Sequence, residues 1–108
     1  MSLKHRLFPS VQTVGKALLP IEDAAHLVAA EAHRTVATMI EERQKAHRAG
    51  AGADFGSDSI ALASKGADHL TIAANCFGES HQALAGLLDD LGYGPQCPVG
   101  KLVAVDAA

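Results

Sequence analysis

The chain has 108 residues, of which 48% are hydrophobic and 19% charged, with a formal net charge of −3. This length points to one domain, the hydrophobic content argues against disorder, and four prolines without a collagen-like period exclude a fibrous chain. Twenty-one residues are alanine and only four are aromatic. Because alanine favours helices but adds little side chain to a core, the composition predicts closely packed helices.

Residues 1–19 are predicted to form a basic arm and a short helix. Lys4, Arg6 and Lys16 lie in this segment, which contains no acidic residue. A basic arm can contact nucleic acid or an anionic membrane. Three cations in an acidic chain do not favour nucleic-acid binding, so no nucleic-acid partner is expected. The N-terminus lacks the apolar core of a signal peptide, and no apolar run approaches the ~18 residues of a membrane span. These features predict a cytoplasmic protein without a transmembrane segment.

The remainder of the single predicted domain, 1–108, is expected to contain two long helices. The first is predicted over 20–49, because proline suits the first turn of a helix and Gly50 suits its end. A glycine-rich loop follows at 50–56, and a second long helix is predicted over 57–91. Residues 92–108 are predicted to be an irregular tail.

The second helix carries the most regular pattern in the chain. Apolar residues from Ile60 to Leu91 alternate steps of three and four, which is typical of left-handed helix packing. We call this pattern the α2 seam. Its central positions are predicted to form the helix interface: Ala63, Ala67, Leu70, Ala74, Phe77, His81, Leu84 and Leu88.

The first helix has a weaker matching stripe, which Val36 and Ile40 widen. Its members are Ile21, Ala25, Val28, Ala32, Thr35 and Met39. The predicted fold is therefore all-α, a long antiparallel helical hairpin with a short N-terminal helix. The two long helices would span roughly 43 and 52 Å at 1.5 Å per residue, which leaves much apolar surface exposed in a thin hairpin.

Beside the α2 seam lies a second apolar strip on the same helix. Its residues are Ile72, Cys76, Ala83 and Leu87. A homodimer that forms a four-helix bundle would cover these side chains, and this is the favoured assembly. The alternatives are a monomeric three-helix bundle, completed by the N-terminal helix, and a compact monomer in which Gly78 breaks the second helix.

The histidines raise the question of a metal site. Asp23 and His26 have the (i, i+3) spacing of carboxylate and histidine that metal-binding bundles use, and Glu31 and His33 lie near them in sequence. No Glu-x-x-His motif occurs, and His26 and His33 lie about 10 Å apart along the helix. These four residues are the metal-ligand candidates, while surface histidines are the simpler interpretation.

His81 differs from the other histidines because it occupies a position in the α2 seam. A polar residue in such a seam often fixes register or partner choice at a cost in stability. On this hypothesis, leucine in place of His81 raises stability. The alternative is a ligand-binding or catalytic histidine.

No catalytic motif, phosphate-binding loop or zinc-type Cys/His set occurs, so neither a catalytic residue nor a cofactor is predicted. The sequence favours a non-enzymatic, self-associating helical-bundle protein, acting as an adaptor, an assembly unit or a surface coat. The alternative is a four-helix bundle that binds a ligand or metal through histidine and carboxylate side chains.

Overall fold

The computed structural model describes residues 3–92. Within this range there are two helices and no strand: α1 spans Leu3–Arg48 and α2 spans Ser57–Asp90. This confirms the predicted all-α class with two long helices. Most of the predicted C-terminal tail lies outside the described residues, which end at residue 92.

The helix α1 runs through Pro20 without a break, which differs from the predicted division at residue 19. A proline inside a helix removes one backbone hydrogen bond and usually disfavours the helix by about 3 kcal/mol. Tertiary contacts on both sides of Pro20 oppose this effect. Val11 packs in an apolar cluster with Leu88, and Glu22 bonds to His81 on α2. Both contacts hold the α1 backbone in its helical course.

The end of α1 is specified locally by glycine. Gly50 has a φ of 104°, which disfavours residues with a side chain. Its N–H donates to the carbonyl of His47 at 3.0 Å, and the N–H of Ala51 donates to the carbonyl of Ala46 at 2.9 Å. These two bonds form a Schellman motif, which satisfies carbonyls left without a partner at a helix end.

The helix α2 begins after a second glycine with positive φ. Gly56 has a φ of 74° and occupies the N-cap position, because its carbonyl accepts a hydrogen bond from the N–H of Ile60. Asp58 adds negative charge to the first turn, where it favours the helix dipole. The helix then continues through Gly78 to Asp90, so the break considered at Gly78 does not occur.

The described chain divides into two compact units. We call residues 3–24 with 75–92 the terminal unit, and residues 25–74 the loop unit. In the terminal unit, buried Val11 and Leu88 form a core with half-buried Phe8, Leu84 and Ala85 packed against it. The pairing of Val11 with Leu88 and of Glu22 with His81 shows that its two helical segments run antiparallel.

The loop unit is a helical hairpin built largely from alanine. Ala29, Ala67 and Ala74 are its buried apolar residues among those described. Across the hairpin, the Nε2 atom of His33 and the Oγ1 atom of Thr71 are hydrogen-bonded at 2.8 Å. These small side chains allow the two helices to approach closely, and the interior of this unit contains few large apolar side chains.

Candidate interaction surface and buried polar pair

The α1 segment of the terminal unit carries large apolar side chains that are exposed to solvent. Leu7, Val14 and Ile21 follow one another at seven-residue intervals and are 39%, 53% and 50% exposed. Seven residues are nearly two helical turns, so these three side chains lie along one side of the helix. Exposed Ala17, between Val14 and Ile21, and exposed Ala24, after Ile21, continue the same side. This spacing is that of a coiled-coil seam, and it lies outside the packed core.

The α2 segment of the same unit adds apolar residues beside this stripe. Val14 lines a surface groove of about 350 Å³ together with Ser80, Ala83, Leu84 and Leu87. Ala83 and Leu87 belong to the second apolar strip predicted from the sequence, and Leu87 is 51% exposed. Apolar side chains from both helices therefore meet at one surface. We call it the apolar face, and its members are Leu7, Val14, Ile21, Ala83 and Leu87.

A buried polar pair joins the two helices of the terminal unit. The Nδ1 atom of His81 lies 2.8 Å from the Oε2 atom of Glu22, and each side chain is only 10% exposed. A carboxylate can only accept a hydrogen bond, so His81 donates through Nδ1–H. The bond spans 59 positions of sequence and fixes the register of α2 against α1.

The other ring nitrogen of His81 has no hydrogen-bond partner among the described residues. Its Nε2 atom is shielded from solvent. With Nδ1 protonated, neutral His81 presents a lone pair at Nε2. A buried polar atom without a partner normally disfavours folding, so this atom is an uncommon feature of the interior.

Only part of the stripe predicted on α1 lies on the packed side, where Ala25 and Ala32 are half-buried. Ile21 and Val28 are exposed, whereas Glu22 and Ala29 are buried. Glu22 was not among the predicted site residues, because an acidic residue shortly after Pro20 also suits the first turn of a helix. The signal that could have identified it was its spacing from Val11: both residues lie on one side of an uninterrupted helix, eleven positions apart.

The structure places all eight residues of the predicted interface on the less exposed side of α2. The four buried residues are Ala67, Ala74, His81 and Leu88, and the four half-buried residues are Ala63, Leu70, Phe77 and Leu84. In the terminal unit, Leu84 packs against the core formed by Leu88 and Val11 of α1. There the seam takes part in packing within one chain.

The four metal-ligand candidates do not come together in the structure. Glu31 forms an ion pair with Arg34 at 2.7 Å, and His33 is bonded to Thr71. Asp23 and His26 are exposed. Residues 3–92 contain no group of three or more His, Cys, Asp and Glu side chains that could hold a metal ion.

The loop unit has a groove of its own. It has a volume of about 230 Å³, and its lining includes Met39, Arg43 and Phe55. The guanidinium of Arg43 donates to the carbonyls of Ala53 and Phe55, which holds the connection between the helices. Because Arg43 is engaged with the backbone, its role in this groove is structural.

Neither helix contains, among the described residues, a stretch long and apolar enough to cross a membrane. Comparison with protein-family models, with curated proteins and with solved structures found no match to this chain. The interpretation of the apolar face and of the buried pair therefore depends on their own geometry.

Proposed function

We propose that this protein is a non-enzymatic, self-associating helical module. In this proposal two copies bury their apolar faces against each other, and the homodimer forms a four-helix bundle. The observation that carries the proposal is the exposed seven-residue repeat of Leu7, Val14 and Ile21, whose middle member, Val14, lines the same groove as Leu87. Scattered exposed apolar residues are normal on a protein surface, whereas a contiguous apolar patch marks an interaction site.

The limited core of the single chain supports the same proposal. Among the described residues, Leu88 is the largest fully buried side chain, and three of the five buried apolar residues are alanine. A second copy would place further leucine, isoleucine and valine side chains in an interior. The resulting bundle would resemble other helix bundles in having apolar residues on two sides of each helix.

The free energy that each side chain would contribute to dimer formation follows from its exposure in the single chain. Complete burial of a valine, leucine or isoleucine side chain contributes about 1.5–3 kcal/mol. Val14 and Leu87 are about half exposed, so burial of the remainder would contribute about 1 kcal/mol for each residue in each copy. An acidic residue at either position would also place a charge in the interface of both copies, which adds to the loss.

The experiment is to measure the mass of the protein in solution by light scattering over micromolar concentrations. We expect the unmodified chain to be a dimer and Val14→Glu or Leu87→Glu to shift it to monomer. Gln82→Glu is the matched control, because Gln82 is exposed and lies outside the apolar face. Circular dichroism would confirm that each variant remains helical. An unmodified chain that stays monomeric throughout this range would contradict the proposal.

A second candidate function is supported by the unpartnered Nε2 atom of His81. Carboxylate–histidine pairs commonly orient a histidine whose other nitrogen binds a metal. In this candidate the Nε2 atom of His81 is a ligand of a bound metal ion. Calorimetric titration with Zn²⁺ alone tests it: His81→Gln should abolish binding while His33→Gln retains it. Failure of the unmodified chain to bind Zn²⁺ would remove this candidate.

A further inference from the structure

We draw no further inference here: the strongest candidate, the apolar groove of the loop unit whose lining includes Met39, Phe55 and Ile60, carries none, because nothing in the described residues 3–92 shows what covers it.

Discussion

Replacement of His81 by leucine tests the buried polar pair most directly. The substitution removes the Nδ1–H donor that lies 2.8 Å from the Oε2 atom of Glu22, and it leaves that carboxylate in a position where the residue is only 7% exposed. The sequence alone predicts that leucine raises stability, because His81 lies in an apolar seam. The structure reverses this expectation for the single substitution, because leucine cannot donate a hydrogen bond to the buried carboxylate of Glu22.

The magnitude follows from the burial of both side chains. Removal of a hydrogen-bond donor from a buried carboxylate costs about 3–5 kcal/mol, and the added leucine returns about 1 kcal/mol through apolar burial. We therefore expect His81→Leu to lower the free energy of unfolding by about 2–4 kcal/mol. For a domain of this size, that loss corresponds to a decrease in Tm of roughly 10–25 °C.

The assay is urea unfolding followed by circular dichroism at a fixed protein concentration, since self-association would link stability to concentration. The double variant Glu22→Leu with His81→Leu removes both members of the pair and should be about as stable as the unmodified protein, or more stable. His33→Leu is the matched control. Its bond to Thr71 is exposed, so a change below about 0.5 kcal/mol is expected.

The reasoning would be refuted if His81→Leu unfolded at the same urea concentration as the unmodified chain, or at a higher one. Equal stability of the single and double variants would also refute it. In that case removal of the Glu22 carboxylate would not have raised the free energy of unfolding, and the bond across the helices would be unimportant for stability.

Two further predictions concern the helices and their connection. Gly66 lies inside α2, where an added Cβ atom would meet open space, so Gly66→Ala should raise the free energy of unfolding by about 0.5–1 kcal/mol. Gly56→Ala should lower the free energy of unfolding by about 1 kcal/mol, because a φ of 74° strains alanine. Equal effects of the two substitutions in urea unfolding would contradict this reasoning. Arg43→Ala should lower the free energy of unfolding by about 1–2 kcal/mol, because it removes the bonds to two carbonyls of the connecting loop. Arg34 is the control: it lies in an exposed ion pair, so Arg34→Ala should change the free energy of unfolding by less than about 0.5 kcal/mol in the same assay.

Only part of the candidate site could be predicted from the sequence. The spacing of the α2 residues indicated that His81 belongs to a packed seam, and the strip containing Ala83 and Leu87 indicated a second apolar surface. Neither pattern identified Glu22 as the partner of His81. A pairing across 59 positions depends on the register between two helices, and a stripe of alanines is compatible with several registers.

Local chemistry in the sequence determined the all-α class and the connection after α1. Gly50 and Gly56 adopt the positive φ values that end one helix and begin the next, and these preferences act within a few residues. The tertiary structure alone decided that α1 continues through Pro20 and that Glu22, instead of Ile21, faces α2. Either of two stripes on α1 could pack against α2, and neither helix propensity nor hydrophobic periodicity determines which one does. Contacts made by α2, through Leu88 and His81, select one stripe for the interior and leave the other exposed.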